Sequence, residues 1–306
     1  MNKKILFIID EPKTLNTLKD TSLLLIKAAL KLNYKVSYAR HNDLFVINNQ
    51  PHGNTKTITS FTNCLDQVKQ NKCNLNSFDF IFIRKDPPFD KNYLFLTLIL
   101  DLVNNAKIIN NPLSLQSHNE KLSTLNFPHL ITKTLVSANS DQIKKFIFES
   151  KEAVAKPIDE MAGNKIFFIK PGDKNLNVVL EVLTNYGETQ IIVQKFIPEI
   201  KKGDKRIIIV NGEPIPYALV RVPRKDDFRG NLAKGGNAKI QKLTTNDHKI
   251  IKDIKNYLIK KDLRFVGIDI IGNYLTEINV TSPTGLIEIE KLTKKNVSEE
   301  IVKKLF

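Results

Sequence analysis

A chain of 306 residues with 42% apolar and 26% charged side chains is long enough for two or three domains and too well balanced for wholesale disorder. Twelve glycines and thirteen prolines exclude a collagenous or low-complexity chain, and no uncharged apolar run approaches the roughly 20 residues that cross a bilayer. The formal charge of +15 comes from 40 lysines and only seven arginines, a Lys/Asn/Ile bias that AT-rich coding produces, with no stripe of arginines and aromatics to mark a nucleic-acid groove.

Met1-Asn2-Lys3-Lys4 leads straight into Ile5-Leu6-Phe7-Ile8-Ile9-Asp10, too short an apolar run for a secretion signal. Cys64 and Cys73 cannot form a disulfide framework. A cytoplasmic protein without a membrane or nucleic-acid partner is therefore expected. Ile5 to Ile9 reads as a short buried strand, and Leu18 to Leu32 has helical apolar spacing. Lys35–Tyr38 and Phe78–Ile83 follow as strands, then a helix from about Lys91 to Val103 and a strand at Lys107–Ile109. Strands separated by helices predict a parallel sheet, whose ligands sit past the carboxyl ends of strands, where Arg84, Lys85 and Asp86 fall.

Beyond Pro112 the pattern changes. Val154–Pro157, Ile166–Ile169 and Ile191–Gln194 read as strands, with helices near Asp141–Phe148 and Leu176–Leu183. Arg206–Val210 and Tyr217–Val222 form a strand pair around the turn signal Asn211-Gly212-Glu213. Val222 to Ala238 is polar and broken by Pro223, Gly230, Gly235 and Gly236, as expected of a lid loop. A helix at about Asp247–Lys260 precedes strands at Phe265–Ile271 and Leu275–Val280, and the chain closes in a Lys/Glu-rich helix.

The sharpest chemical signal lies between Asp269 and Asn279. Glu277 and Asn279 are two apart on a strand and share a face. A three-residue loop places Asp269 opposite Glu277, and the three oxygen-bearing groups then suit Mg²⁺ held against phosphates. A two-residue loop turns Asp269 away, and a solvent-facing polar stripe is the alternative. Val280-Thr281-Ser282-Pro283-Thr284-Gly285 opens a short helix and offers backbone amides to an anion, or serves as a plain helix cap. Lys156, before Pro157, is held extended at a strand end. Arg206, Arg221, Arg224 and Arg229 fall within 24 residues, which points to a need for the bidentate guanidinium fork in a chain that otherwise prefers lysine. His41, His52, His118, His129 and His248 share no metal-ligand spacing, and the nine-residue Cys64–Cys73 interval points to buried or free thiols.

Taken in order, Ile83-Arg84-Lys85-Asp86-Pro87-Pro88-Phe89-Asp90, Asn119-Glu120-Lys121-Leu122, Ala155-Lys156-Pro157, Gly203-Asp204-Lys205-Arg206, Arg229-Gly230-Asn231-Leu232-Ala233 and Gly267 through Thr284 resemble the prokaryotic glutathione synthetase family of the ATP-grasp superfamily. The resemblance runs from residue 1 to about 290. It implies an N-terminal parallel α/β (pre-ATP-grasp) domain over 1–118, an ATP-grasp central, lid-like subdomain over 119–200 and a C-terminal catalytic subdomain over 201–306. It also implies ATP-dependent ligation of γ-glutamylcysteine with glycine through an acyl phosphate. Implied partners are those three small molecules and further copies of the chain, as a dimer or tetramer. Mg²⁺, or Mn²⁺ in its place, is the implied cofactor.

By position, Lys121 and Lys156 resemble the lysines at the ATP phosphates, with Gly163 in the loop that covers them. Gln194, Lys195, Phe196 and Ile197 resemble the hinge facing adenine, and Asp204 a ribose or nearby contact. Arg206 and Arg221 resemble the residues at the transferring group, and Arg229 and Asn231 lie in the lid. Asp269, Glu277 and Asn279 match the metal ligands. Phosphoryl transfer asks for positioning and charge neutralisation, not for a protein nucleophile, which agrees with a site of Lys, Arg and metal.

The covering loop departs from the family pattern. Where Asp-Gly-Met-Gly-Gly is usual, this chain has Asp159-Glu160-Met161-Ala162-Gly163, and Glu160 brings a carboxylate toward a triphosphate unless it turns outward. Ile287 stands where a polar side chain is common. Two other readings stay open: an ATP-grasp ligase joining a different acyl donor and amine, and a weakened nucleotide-binding homologue.

Overall fold

The computed structural model describes residues 3–61, 65, 67–161, 163–224, 227, 229–230 and 235–306; Cys64, Ala162 and Asn231 lie outside them. Three sheets follow one another along the chain.

The first contains β1 (Lys4–Ile8), β2 (Lys35–Ala39), β3 (Leu44–Ile47), β4 (Gln50–Ser60), β5 (Gln67–Asn74), β6 (Phe80–Ile83) and β7 (Lys107–Ile109). Its central strands β2, β1, β6 and β7 are parallel, as the alternation of strands and helices predicts. β1 is buried along nearly its whole length, as expected of a strand covered on both faces. Helices α1 (Thr21–Lys31), capped by the Asp20 carboxylate at the Leu23 amide, and α2 (Lys91–Leu100), capped by Asp90 at Tyr93, connect these strands. The antiparallel extension β3–β4–β5 was not foreseen from the sequence. Its inward positions are small or polar, such as Gly53 and Thr55, and leave no apolar period to read.

After α3 (Pro112–Ser117), the second sheet runs β10-β9-β11-β8, formed by β8 (Thr134–Ser137), β9 (Ala153–Pro157), β10 (Phe167–Ile169) and β11 (Ile191–Lys195), all antiparallel. Its period-2 alternation divides the faces. Ala153, Ala155, Ile191 and Val193 pack under helices α4 (Ser140–Ser150) and α5 (Leu176–Leu183), together with Ile143, Ile147, Leu180 and Leu183. Val154, Lys156 and Gln194 are left for the opposite face, which lines a cavity.

The third sheet is antiparallel, in the order β14-β13-β12-β15-β16. Its strands are β12 (Asp204–Val210), β13 (Glu213–Val222), β14 (Asn237–Lys242), β15 (Phe265–Ile271) and β16 (Tyr274–Asn279). Ile207, Ile209, Ile268, Ile270 and Ile278 are buried in one cluster with Ile250, Ile254 and Leu258 of α6 (Thr245–Lys260). On the other face Ile208, Val210, Leu219 and Phe265 join a cluster with α7 (Leu286–Thr293), α8 (Val297–Leu305) and Phe82 of the first sheet. That same face changes from apolar to charged toward Asp204 and Arg206. The chain thus ends in the two helices that the sequence predicts, the short one after Gly285 and the Lys/Glu-rich one. The free edge of β16 is covered by the segment after α3, whose Glu120 and Leu130 carbonyls accept from the Ile278 and Leu275 amides at 2.8 Å each.

Candidate active site

The β15–β16 ribbon answers the question of loop length with a third arrangement. Its loop is two residues, Gly272 and Asn273, with Ile271 opposite Tyr274 and Ile270 opposite Leu275. Gly272 has φ +58°, where a side chain is disfavoured. A bulge then admits Thr276 as an extra residue, so Asp269 pairs with Glu277 and Gly267 with Asn279. The two-residue loop thus does not turn Asp269 away, because the bulge restores the shared face. Sequence pattern alone carried no mark of the bulge.

Register carries this row further across the sheet. Arg206 lies opposite Asp269, and Asp204 opposite Arg221. Arg206 Nε and Nη2 donate to Asp269 Oδ1 and Oδ2 at 2.5 and 2.7 Å. Arg221 grips Asp204 through two bonds of 2.7 Å and reaches Asp269 Oδ2 at 2.9 Å. Asn279 Nδ2 donates to the same Oδ2 at 3.3 Å. Gly267 lets Arg206 lie flat here, since an added Cβ would stand 3.1 Å from Arg206 Cδ and 2.8 Å from Pro283. All of these groups are buried. Burial by itself pushes the Asp269 carboxyl up, but Arg206 and Arg221 outweigh it and hold the group below the usual carboxylate range.

The opposite wall comes from the second sheet. Lys156 projects from β9 and lies 3.5 Å from Glu277 of the third sheet. Burial draws its ammonium below the ordinary lysine value, with Glu277 opposing and Lys121 adding to the effect. Lys121 donates to the carbonyls of Ile158, at 3.2 Å, and Glu160, and so reaches the backbone of the loop between β9 and β10. Gln194 Nε2 bonds to Thr134 Oγ1 at 3.1 Å, and Lys195, Phe196 and Ile197 continue the wall. Arg229 pairs with Asp227 at 2.7 Å and donates to the Gly163 carbonyl at 3.1 Å, so a lid residue touches the loop.

Lys121, Lys156, Gly163, Gln194, Lys195, Phe196, Ile197, Asp204, Arg221, Arg229, Asp269 and Glu277 thus line one cavity with about 870 Å³ of empty space. A second cavity is lined by Arg206, Asn279 and the loop Thr281–Gly285, together with Lys19, Asp86 and Glu288. The two meet at Met161, Arg221 and Glu277. Asp86 lines this second cavity, past the end of β6. Arg84 is instead buried between the Phe82 and Phe265 rings, with Nε on Ser22 Oγ and Nη2 on the Pro283 carbonyl, both at 3.1 Å.

One participant escaped the sequence reading. Glu120 accepts from Thr281 Oγ1 at 2.7 Å and from the Val280 and Thr281 amides, which ties the loop of the second cavity to the segment carrying Lys121. Burial raises its carboxyl, and Glu277 adds to that. Only its place beside Lys121 could have drawn attention to it.

No cluster of three or more His, Cys, Asp or Glu side chains suited to a metal occurs among the described residues. Asp269, Glu277 and Asn279 offer two carboxylates and one amide, a hard-oxygen set that fits Mg²⁺ shared with phosphate oxygens and waters. Asp269 already accepts from two guanidinium groups, so a cation there would share or displace them.

Comparison with known proteins identifies the family. Residues 3–116 match the N-terminal domain, and residues 120–294 the ATP-grasp domain, of prokaryotic glutathione synthetase. The glutathione synthetase of Wigglesworthia glossinidia brevipalpis is 41% identical over 300 residues, covering 96% of this chain and 95% of that one. Among solved structures, a RiPP-associated ATP-grasp ligase from Chryseobacterium gregarium, in complex with ADP and a leader and core peptide, superposes with a TM-score of 0.68 at 16% identity, covering 100% and 96% of the two chains. The ATP-grasp ligase PsnB, complexed with a phosphomimetic variant of its minimal precursor, Mg and ADP, gives 0.64 at 11% identity, covering 100% and 98%. The chain belongs to the prokaryotic glutathione synthetase family, and it is an ATP-grasp ligase with a mixed α/β N-terminal domain.

Proposed function

We propose that this member of the prokaryotic glutathione synthetase family joins γ-glutamylcysteine to glycine with cleavage of ATP, holding nucleotide in the first cavity and dipeptide in the second. The observation that carries the reading is the junction of the two cavities at Met161, Arg221 and Glu277, since a phosphoryl donor and its acceptor must meet at one point.

Lys121 and Lys156 bind the phosphate chain, and the segment Gln194 to Ile197 receives the adenine, with Asp204 near the ribose. Arg206 and Arg221 neutralise the equatorial oxygens of the transferring group. Asp269, Glu277 and Asn279 would hold Mg²⁺, with Mn²⁺ as a substitute, and the ion when bound supplies charge neutralisation between nucleotide and acceptor.

The cysteinyl carboxylate oxygen attacks the γ-phosphorus. A new P–O bond forms as the β–γ bridge bond breaks, and ADP leaves. The glycine amine then attacks the acyl carbon, the C–N bond forms, phosphate departs with the C–O electron pair and the amine gives up a proton. Arg229 keeps water from the acyl phosphate, a role that the resemblance extends to Asn231, outside the described residues.

The division into 1–118, 119–200 and 201–306 is supported by each sheet falling within one of the three spans. A cytoplasmic location and a homo-oligomeric state, dimer or tetramer, belong to the same proposal; light scattering after gel filtration tests the latter. For the reaction itself, phosphate release is expected only when γ-glutamylcysteine and glycine are both present. Release without either substrate, or a preference for another amine, would overturn the assignment.

A further inference from the structure

Glu160 stands where a carboxylate is least welcome, on the rim of the first cavity with Lys121 and Lys156. Its carboxylate is not left unpaired there. Lys165 Nζ pairs with Glu160 Oε1 at 2.7 Å, and this pairing holds the carboxyl below its ordinary value. Lys165 itself lines the neighbouring groove with Phe167, Arg224 and Arg229, outside the first cavity.

The backbone is shaped to allow this pairing. Gly163 at φ +76° and Lys165 at φ +51° curl the segment back on itself, the latter an uncommon conformation for a residue with a Cβ. The Asn164 amide closes the turn on the Met161 carbonyl at 3.1 Å. An exposed pair of this kind contributes little to folding stability. Its consequence is for an anion next door, because the carboxylate is paired with a cation that lines the neighbouring groove.

We propose that Lys165 is a positioning residue for nucleotide binding: by pairing with Glu160 it neutralises the acidic residue of the phosphate loop and keeps it off the phosphates. The proposal rests on reading the first cavity as the nucleotide site. An unpaired carboxylate at the edge of a polyanion site lowers affinity on the order of fivefold at low ionic strength, and less as salt screens it.

Calorimetric titration of the full-length protein with ADP tests this through a double substitution. Lys165→Met should weaken ADP about fivefold at low salt, with the loss shrinking at high salt. Lys165→Arg should bind as the wild type does. Glu160→Gln should bind at least as tightly as the wild type, and Glu160→Gln/Lys165→Met should match Glu160→Gln alone. In turnover, the Lys165→Met change should appear in KM for ATP with kcat unmoved.

A double variant as weak as Lys165→Met would overturn the proposal by showing that Lys165 acts without Glu160. So would a Lys165→Met protein indistinguishable from the wild type. Failure of the wild type to bind ADP is a separate result, visible before any variant is made; it removes the nucleotide site and this inference with it.

Discussion

The second and third sheets face the same cavity with opposite electrical habits. The third carries its own counter-charges: Arg206 lies across from Asp269 and Arg221 across from Asp204, each pair bidentate and fixed by strand register. The second sheet contributes Lys156, whose ion-pair partner Glu277 belongs to the other sheet, and a loop whose carbonyls hold Lys121. One wall is therefore arranged by the fold before any ligand arrives, whereas the other presents ammonium groups that an anion would complete.

The largest effect should come from breaking the self-paired wall. Asp269→Ala leaves two buried guanidinium groups short of a carboxylate, and a loss of about 3–5 kcal/mol is expected in urea denaturation, together with loss of turnover. Glu277→Ala separates chemistry from folding. Glu277 is only partly buried, so turnover should fall at least about a hundredfold while the melting temperature stays near that of the wild type. Wild-type rates in both variants would remove the metal assignment.

Lys156→Met probes the other wall. Burial already opposes charge on this ammonium, so the ligand-free variant should melt no lower than the wild type. The stabilisation that ADP confers should disappear, which thermal melts with and without ADP would read. Weaker folding with nucleotide stabilisation intact would reverse the contrast between the sheets.

The smallest effect belongs to a control pair that lines neither cavity, Arg40–Asp43 at 3.0 Å. Partial burial pushes the Asp43 carboxyl up, but hydrogen bonds from Arg40 and its charge hold it below its ordinary value of 3.8. A depressed carboxyl adds stability above that unfolded-state value and loses it as pH falls through the folded one. Asp43→Asn should thus cost at most about 1 kcal/mol at neutral pH, and the difference should shrink as pH falls below about 3.8 and vanish only below the lower folded-state value.

Most of the fold was legible where period and burial coincide. β1, β6 and β7 read as apolar runs, α6 showed its stripe, and β12 and β13 bracket a turn signal. β4 was not legible because its buried positions include Pro51, Gly53 and Thr55. β14 was hidden because, as an edge strand bearing Lys239, Gln241 and Lys242, it looks like loop. In the site, the two-residue spacing of Glu277 and Asn279 announced a shared face. The bidentate partners of Arg206 and Arg221 could not be read, since they depend on the register of strands far apart in sequence. The resemblance placed these arginines at the transferring group, but their grip on Asp269 and Asp204 came only with the fold.

In the proposed reaction the β15–β16 ribbon holds a divalent cation against the phosphates of a nucleotide in the first cavity. A crystal structure with ADP and Mg²⁺ would decide this. Metal density is expected within bonding distance of Asp269, Glu277 and Asn279, with the diphosphate near Lys121 and Lys156 and the Glu160 carboxylate still on Lys165. Metal bound elsewhere, with Asp269 still clamped by Arg206 and Arg221 and Glu277 facing water, would contradict it.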